Sequence, residues 1–420
     1  MKTCINSEFG KLEGVIIHQP GSEVENMTPE NAERALYSDI LNLSIASKEY
    51  AELAGVLKSV TSVFNIKSLL TDILQNENVK LSLLKEICIN ERIPEMVTEL
   101  AQNNATNLSD LLIEGVVLEK NNLTNYLGNE RFLLRPLHNL FFTRDSAMGM
   151  NNHMLIGKMA NPVRERETII MEAIFNHHLN FETSTLNPAK PTSGIIRNPK
   201  STLEGGDFQM ARHNVFVIGT GVRTSTQGID FIIENIKKLN SEPQHIIVQE
   251  LPSTPESFIH LDMVFTFLNT DACMVYEPVI YKMNRLRTIH IQLENKKVTT
   301  IEEVQNIPAA LKKLGMDLKP INCGGNNDLW IQEREQWHSG ANFFAFAPGK
   351  IIGYERNSHT IEALNKNGYD VIKASDVIAG KISLDDYNKC VVLIAGSELA
   401  RGGGGARCMT MPIRRAKVDW

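Results

Sequence analysis

Residues 396–412 read Gly-Ser-Glu-Leu-Ala-Arg-Gly-Gly-Gly-Gly-Ala-Arg-Cys-Met-Thr-Met-Pro, and this stretch combines a permissive backbone with a single thiol. The four glycines at 402–405 can adopt positive φ angles and can approach a ligand closely. Cys408 follows three residues later. A surface turn beside a buried apolar cysteine would also fit the pattern, whereas a phosphate-binding loop would need a Gly-Lys-Ser/Thr ending that this stretch lacks. This stretch alone therefore fits both a surface turn and a reactive thiol, and the motifs elsewhere in the chain are needed to choose between them.

The composition is that of an ordinary globular protein with a small-molecule partner. The 420 residues are 42% apolar and 22% charged, and the formal net charge is −6. The chain has no run of basic residues, which argues against nucleic acid or an anionic membrane as a partner. No apolar run approaches the ~18 residues of a membrane span, and the N-terminus lacks the apolar core of a signal peptide. We therefore expect a cytoplasmic protein.

The cysteines are scattered singly along the chain, without Cys-x-x-Cys pairs or local clusters of cysteine and histidine. This distribution predicts neither a disulfide framework nor a structural zinc site, so we expect no bound metal. Most of the thiols are expected to be packing residues in a reducing compartment. The six are Cys4, Cys88, Cys273, Cys323, Cys390 and Cys408.

The apolar pattern alternates between strand and helix, which predicts an α/β fold. Residues 14–20 and 61–66 are predicted strands around a helix that includes residues 50–60. Between residues 68 and 127, apolar side chains recur at helical spacing between Asn-rich turns, which predicts a helical insertion. Periodicity alone does not tell an open sheet from a closed one. The other predicted helices are 165–175, 229–239, 301–314 and 358–367, and the other predicted strands are 154–159, 215–219, 245–251, 263–267, 272–276, 342–347, 351–354 and 391–395.

Four short polar motifs interrupt this scaffold, and the last of them is Cys408 itself. Asp145 follows two phenylalanines, and Glu204 and Asp207 flank two glycines. His260 precedes Asp262 by two positions, so both side chains would face the same side if the following strand began at His260. Each motif alone is equally consistent with a surface ion pair or a turn.

Taken together, the motifs favour covalent catalysis on a cationic substrate. A histidine, several carboxylates and one cysteine without a metal-ligand pattern suit a thiol nucleophile assisted by general acid–base chemistry. Several acids imply a positively charged substrate, whereas acyl transfer rarely needs more than one carboxylate. A guanidinium is planar and matches a carboxylate in two parallel hydrogen bonds.

Six motifs in this order resemble the arginine deiminase family, and the similarity extends over nearly the whole chain. A single motif would not be specific, but six in one order are. They are Phe-Thr-Arg-Asp at 142–145, Glu-Gly-Gly-Asp at 204–207, His-Leu-Asp at 260–262, Asn-Cys-Gly-Gly at 322–325, Arg-Glu-Gln-Trp at 334–337 and Ala-Arg-Cys-Met-Thr-Met-Pro at 406–412.

The resemblance implies a pentein fold, an α/β-propeller in which five ββαβ units surround a central active site. Residues 1–67 and 131–420 would form this catalytic domain, and residues 68–130 would form the helical insertion. The implied reaction is hydrolysis of L-arginine to L-citrulline and ammonia through a covalent thiouronium, without a cofactor. We also expect a homo-oligomer of two or more chains.

The resemblance also implies a role for each catalytic residue. Cys408 would be the nucleophile, and Asp145 and Asp262 would hold the substrate guanidinium. Glu204 would hydrogen-bond the substrate or orient His260. His260 would protonate the departing ammonia and then activate water.

Five further residues are implied in substrate binding. Arg164, Arg223 and Asn139 would bind the substrate carboxylate. Phe142 would lie against the substrate stem or the guanidinium face. Asp207 matches its motif and would have a supporting role.

Two positions depart from the family pattern. Several members carry an arginine where this chain has Gly403, so loop closure and binding strength here are open. The family usually has a second aspartate where Ser38 stands, and no physical consequence of that change is evident.

Other functions remain open at this point. An amidinotransferase, or a hydrolase of agmatine or methylated arginine, would use the same chemistry. Arg164 and Arg223 favour a substrate with a free carboxylate, which argues against agmatine. A catalytically silent arginine-binding protein is the alternative from a different class.

Overall fold

Strands and helices alternate along most of the chain, which confirms the predicted α/β class. The computed structural model describes residues 1–239, 242–282, 284–326 and 328–420. The strands are β1 (Leu12–Ile17), β2 (Ser62–Asn65), β3 (Val116–Val117), β4 (Phe132–Leu134), β5 (Ala147–Met150), β6 (His153–Ile156), β7 (Ser184–Leu186), β8 (Phe208–Arg212), β9 (Val215–Thr220), β10 (Gln244–Glu250), β11 (Phe265–Phe267), β12 (Ala272–Val275), β13 (Thr288–Glu294), β14 (Lys297–Val304), β15 (Lys319–Asn322), β16 (Phe344–Ala347), β17 (Lys350–Tyr354), β18 (Asp370–Lys373), β19 (Cys390–Ile394) and β20 (Met411–Arg415). The helices are α1 (Ser22–Glu25), α2 (Pro29–Ala32), α3 (Leu43–Val60), α4 (Ile66–Leu74), α5 (Glu77–Asn90), α6 (Val97–Ala101), α7 (Ala105–Glu114), α8 (Leu123–Leu127), α9 (Glu165–His177), α10 (Thr226–Leu239), α11 (Glu277–Ile280), α12 (Ile307–Lys313), α13 (Leu329–Trp337), α14 (Ser358–Lys366) and α15 (Ala374–Ile378).

Five of the six sheets within the described residues share one connectivity. In each of them two strands pair antiparallel, a helix follows, and a later strand pairs in parallel with the second strand. The fifth group joins the two ends of the chain, because β20 pairs with β1. The sequence itself shows no repeat of fixed period, so strand pairing alone reveals this regularity. The groups are β5-β6-α9-β7, β8-β9-α10-β10, β11-β12-α12-β15, β16-β17-α14-β19 and β20-β1-α3-β2.

A polar segment immediately precedes the first strand of every group. These five segments occupy equivalent places in the fold, although they are far apart in the sequence. Four of them carry the polar motifs predicted from the sequence. The segments contain Asp145 before β5, Glu204 and Asp207 before β8, His260 and Asp262 before β11, Asn342 before β16, and Cys408 before β20.

The predicted helices between residues 68 and 127 are present, and asparagines begin four of them. The side chains of Asn65, Asn76, Asn104 and Asn122 accept backbone N–H groups at the starts of α4, α5, α7 and α8. A cap of this kind stabilises a helix by about 1 kcal/mol. The apolar faces of α4, α5 and α7 share one buried cluster with residues of β1, β20 and α9, so these helices pack directly against the sheets. Within the described ranges, no helix combines the length and apolarity needed to cross a bilayer.

Two predicted elements differ from the structure. Residues 301–304 end β14 instead of beginning a helix, because the β-branched run at 298–301 pairs antiparallel with β13. Helix α12 starts only at Ile307, where the Asn306 side chain accepts the backbone N–H of Ala309. The strand predicted from residue 263 starts at Phe265, because Leu261–Met263 forms a single 3₁₀ turn.

Candidate active site

The predicted nucleophile Cys408 is buried beside Asp262, beneath the glycine loop. Its Sγ lies 3.7 Å from Oδ2 and 3.9 Å from Oδ1 of Asp262. The amide Nδ2 of Asn342 lies 3.2 Å from the same sulfur. The structure therefore brings together a thiol and an acid that are 146 positions apart in the chain.

His260 lies between two buried carboxylates. Its Nε2 is 2.9 Å from Oε2 of Glu204, and its Nδ1 is 3.7 Å from Oδ1 of Asp145. Burial by itself lowers the pKa of this imidazole, but Asp145 and Glu204 together raise it to about 9. His260 is therefore an imidazolium at neutral pH. Burial opposes ionisation of Glu204, yet the hydrogen bond from His260 holds the pKa of Glu204 well below its usual range.

Asp262 is held from behind by an arginine that the polar motifs did not single out. Arg407 Nη1 lies 2.8 Å from Asp262 Oδ2, and Arg407 Nε lies 3.1 Å from Oε2 of Glu8. The third nitrogen of Arg407 donates to the carbonyl of Phe208 at 2.8 Å. Because each nitrogen has an acceptor, the Arg407 guanidinium fixes the position of the Asp262 carboxylate while remaining buried itself.

Arg164 and Arg223, predicted to bind the substrate carboxylate, pair here with acids of the site. Arg164 Nη1 lies 2.7 Å from Asp145 Oδ2, and its Nη2 lies 2.8 Å from Glu167 Oε2. Burial lowers the pKa of Arg164, but Glu167 and Asp145 outweigh it and raise that pKa. Arg223 makes a looser pair, with Nη1 3.8 Å from Glu204 Oε1. Both guanidinium groups would have to turn toward an incoming carboxylate to bind it.

Asn139, Phe142 and Asp207 occupy three different positions around the site. Asn139 lines the cavity while its Nδ2 donates to the carbonyl of Ala35 at 2.8 Å. The Phe142 ring lies against the glycine loop, so closely that a Cβ on Gly404 would come within 2.5 Å of it. Asp207 Oδ1 accepts the backbone N–H of Leu261 at 2.8 Å, and burial raises the pKa of Asp207 to about 6. Asp207 therefore anchors the turn after His260 from behind the cavity.

The cavity at this centre is small and adjoins a much larger one. The inner cavity has a volume of about 30 Å³, roughly that of one water molecule. The outer cavity has a volume of about 730 Å³. The two share lining residues on either side of the mouth, so the outer cavity is the approach to the inner one. The shared residues are Leu36, Arg223, Ile259, Gly402 and Gly403.

Among the described residues, one group of three has the spacing of metal ligands. One atom each from Asp145, Glu204 and His260 lies within 4.8 Å of the other two. Both imidazole nitrogens face carboxylate oxygens, however, and a protonated imidazole has no lone pair to offer a metal. The arrangement suits a proton-donating histidine beside an organic cation better than a metal site.

Sequence reasoning missed three residues of this centre: Asn342, Arg407 and Glu8. Asn342 could have been found, since it stands just before an apolar run, as the other polar motifs do. Arg407 lies inside the Ala-Arg-Cys-Met motif, which by itself indicates only the cysteine. Glu8 has no sequence signal, because it reaches the centre from an irregular segment at the N-terminus.

Fold and site together define a class of protein: a mixed α/β enzyme with a buried cysteine, a protonated histidine and acids suited to a guanidinium. The profile of the arginine deiminase family matches residues 33–415. This chain belongs to the arginine deiminase family. It is 30% identical over 431 aligned positions to an arginine deiminase of Oenococcus oeni, covering 99% of this chain and 98% of the relative. An arginine deiminase of Listeria monocytogenes is 32% identical with the same coverage.

Solved structures show the same fold at much lower sequence identity. An amidinotransferase from Microseira wollei superposes with a TM-score of 0.55 at 13% identity, covering 100% of this chain and 98% of the other. The N-terminal domain of a cyanobacterial arginine dihydrolase superposes with a TM-score of 0.52 at 13% identity, covering 96% and 98%. At this identity the likeness supports the mixed α/β fold and says nothing about the chemistry of the site.

Proposed function

We propose that this chain is an arginine deiminase that hydrolyses L-arginine to L-citrulline and ammonia. The observation that carries the proposal is the buried meeting of Cys408 Sγ with Asp262 at 3.7 Å, in a cavity also lined by Asp145 and His260. Family membership over residues 33–415 supports the same reaction. The proposed chemistry needs neither a metal nor an organic cofactor.

In this proposal the substrate cation creates the nucleophile. Burial, together with Asp262 and Asp145, raises the pKa of the Cys408 thiol well above its usual range, so the free site holds a neutral thiol. A guanidinium about 4 Å away in surroundings of effective dielectric near 20 contributes about 4 kcal/mol, or roughly three pKa units. Bound arginine therefore lowers the thiol pKa toward neutrality, and a site without substrate keeps its cysteine unreactive.

The reaction then proceeds in two halves. The Cys408 thiolate attacks the guanidinium carbon, and a C–S bond forms as that carbon becomes tetrahedral. The carbon–nitrogen bond to one terminal nitrogen breaks, and His260 supplies the proton with which ammonia departs, leaving an S-alkylthiouronium. His260, now neutral, takes a proton from water as the water oxygen attacks the same carbon. The C–S bond breaks as the new hydroxyl group passes its proton to the sulfur, so citrulline is released and the thiol is restored. The proton that the thiol lost on substrate binding leaves with ammonia as ammonium.

Substrate binding requires an exchange of ion pairs. Asp145 and Asp262 hold the substrate guanidinium, while Arg164, Arg223 and Asn139 turn to the substrate carboxylate. The inner cavity of about 30 Å³ is too small for an arginine side chain, so its mouth widens on binding. Phe142 lies against the substrate stem, Glu204 orients His260, and Asp207 supports the turn that carries both His260 and Asp262.

We also propose the arrangement of the five groups, the domain boundaries, the cellular location and the assembly. The five ββαβ groups surround one central axis as a propeller, with the active site at the centre. Residues 1–67 and 131–420 form the catalytic domain, and residues 68–130 form a helical insertion. We further propose that the enzyme is cytoplasmic and assembles as a homo-oligomer of two or more chains.

Product analysis with free L-arginine tests the proposed reaction. The wild-type chain should release citrulline and ammonia in equal amounts, and Cys408→Ala should lower kcat by more than about 10⁴-fold while still binding arginine. Adding glycine as an acceptor separates hydrolysis from amidino transfer, since a transferase would form an amidino-glycine product instead of citrulline. Turnover retained in Cys408→Ala, or product formed only with glycine, would overturn the proposal.

A further inference from the structure

Asn342 is the residue through which the β16-β17-α14-β19 group reaches the reactive sulfur. The other four groups contribute Asp145, Glu204, the pair His260 and Asp262, and Cys408 from equivalent segments. Asn342 stands in the same place before β16, and its side chain is buried at the centre. We propose that Asn342 is a further catalytic residue: its amide donates a hydrogen bond to the Cys408 thiolate and its carbonyl fixes the backbone that carries the thiol. The proposal rests on the function of Cys408 proposed above.

Two backbone hydrogen bonds fix the orientation of the Asn342 amide. Its Oδ1 accepts the backbone N–H of Arg407 at 2.9 Å and that of Cys408 at 3.2 Å. Rotating the amide by 180° would place an NH₂ group against these two donors, which would leave both buried N–H groups unsatisfied. Nδ2 must therefore face the opposite side, where it lies 3.2 Å from Cys408 Sγ and 3.2 Å from the carbonyl of Asp262.

The carboxylates beside the sulfur oppose its ionisation, so the thiolate needs a donor. Asp262 and Asp145 raise the thiol pKa, and Arg407 and a backbone hydrogen bond at Gly405 only partly offset them. The nearest guanidinium, Arg407, donates to Asp262, Glu8 and the carbonyl of Phe208. Across the described ranges, the Asn342 amide is the side-chain N–H donor found within hydrogen-bonding distance of the Cys408 sulfur. A neutral donor stabilises the thiolate without competing with the substrate for the two acids.

The glycine loop is shaped to admit this side chain. A Cβ on Gly405 would lie 2.7 Å from Asn342 Oδ1 and 2.8 Å from Asn342 Cβ. Position 405 must therefore lack a side chain if Asn342 is to reach the backbone of Arg407 and Cys408. Gly405 and Asn342 therefore pack tightly against each other. A loosely packed asparagine would not require a glycine at position 405.

Two neutral substitutions remove the amide group of Asn342. Asn342→Ala truncates the side chain, whereas Asn342→Leu keeps nearly the same volume and adds no charge beside the sulfur. We expect each variant to lower kcat for arginine by about tenfold to a hundredfold, the effect of one hydrogen bond to a charged group, with KM changed less than about threefold. If Asn342→Ala fails to fold, Asn342→Leu still tests the amide, because it leaves no cavity at this position.

The thiol pKa supplies a readout that needs no turnover. We measure the pH dependence of iodoacetamide alkylation and of thiolate ultraviolet absorbance with a low, non-denaturing concentration of guanidinium chloride as the bound cation. Subtracting Cys408→Ala removes the contribution of the other five cysteines. Both Asn342 variants should raise the apparent pKa of Cys408 by about one unit or more. Asn235→Ala is the matched control: this buried asparagine donates to the Phe231 carbonyl within α10, and its loss should leave the Cys408 pKa unchanged.

An unchanged Cys408 pKa in both Asn342 variants would overturn the inference, even if kcat fell. So would full activity in Asn342→Leu. Failure of the proposed function can be told apart from failure of this inference. In that case the wild-type chain would form no citrulline, but the thiol titration would still compare the wild type with the variants.

Discussion

Asp262 lies between two buried networks of charged residues. The charges of the front network face the inner cavity, whereas those of the rear network face one another. The front network consists of Asp145, Glu204, His260 and the thiol of Cys408, and it surrounds the inner cavity. Its contacts are partly loose, as in the 3.7 Å separation between His260 Nδ1 and Asp145 Oδ1. An incoming cation can compete with contacts of this length.

The rear network consists of Arg407, Glu8, Arg144 and Arg415, and it lies behind the residues that line the cavity. Arg407 makes hydrogen bonds of 2.8–3.1 Å through each of its nitrogens. Burial raises the pKa of Glu8, but Arg407, Arg144 and Arg415 outweigh it and lower that pKa. Burial and the charge of Arg407 also lower the pKa of Arg144 to about 9.

The contrast shows how several acids can stay ionised in one buried site. The rear arginines compensate the charge of Asp262, so the front carboxylates can face the cavity and bind a cation. The substrate can displace the front ion pairs, whereas the rear ion pairs stay formed. Mutations in front should therefore lower the rate most strongly, whereas mutations behind should act mainly on stability.

The largest expected effect is on rate in the front network. His260→Gln keeps a hydrogen-bonding side chain but removes the proton donor, so kcat should fall by about 10²–10⁴-fold. Steady-state kinetics with arginine measures the change, and His359→Gln on an exposed helix start is the control, expected to be near wild type. More than a tenth of wild-type kcat in His260→Gln would remove the histidine from the proposed proton transfers.

The next effect is on stability in the rear network. Arg407→Met leaves the buried charge of Asp262 without its guanidinium partner and leaves Glu8 only Arg144 and Arg415, so the free energy of unfolding should fall by about 3–5 kcal/mol. The matched control is Arg414→Met, which breaks a half-exposed pair with Glu13 and should cost less than about 1 kcal/mol. Urea unfolding compares the two variants. Equal losses would mean that the rear pairs are no different from surface ion pairs.

A pH titration of stability sharpens the comparison further. The pKa of His260 is raised from 6.5 to about 9 in the folded chain, so the folded state keeps a proton that the unfolded state releases between these values. The stability this adds is fully present below pH 6.5 and is lost as the pH rises through about 9, by up to about 3 kcal/mol. Urea unfolding across this range should show the fall in the wild type and a flatter profile in His260→Gln. Identical profiles would contradict the assigned charge of His260.

The smallest effect is expected in the loop above the front network. Gly403 has φ +85°, and a Cβ added there would have no heavy atom within 4 Å, so a side chain meets open space but an unfavourable backbone. Gly403→Ala should lower the free energy of unfolding by about 1 kcal/mol, and Gly403→Asn by less, because asparagine tolerates the left-handed region. Thermal or urea unfolding measures both, and equal stability of all three proteins would show that the loop relaxes.

Much of the scaffold followed from local pattern. The apolar periodicity located most strands and helices, and the Asn-rich turns between residues 68 and 127 became helix caps. The pattern was wrong at 301–304, where pairing with β13 extended a strand, and at Leu261–Met263, where a 3₁₀ turn replaced the start of a strand. At 301–304 the pairing of neighbouring strands outweighed the helical pattern of the apolar residues.

In the candidate site, too, the sequence predicted some features and only the structure showed the others. His260 and Asp262 do reach the centre, but through a turn and not through strand alternation. Arg407 and Glu8 escaped notice because the sequence does not indicate which charges are buried together. Arg164 could be assigned to ligand binding by resemblance, whereas its pairing with Asp145 is visible only in three dimensions.

By itself the sequence determined which reactive groups are present: one thiol after a glycine run, a histidine and several spaced acids. It also determined the alternation of strands and helices. These are local properties, written in residue types and short spacings. The tertiary structure decided which of those groups meet, including Asn342 with Cys408 and Arg407 with Asp262. Such contacts depend on strand pairing across the whole chain, and the joining of β20 to β1 brings residues from opposite ends of the sequence to one point.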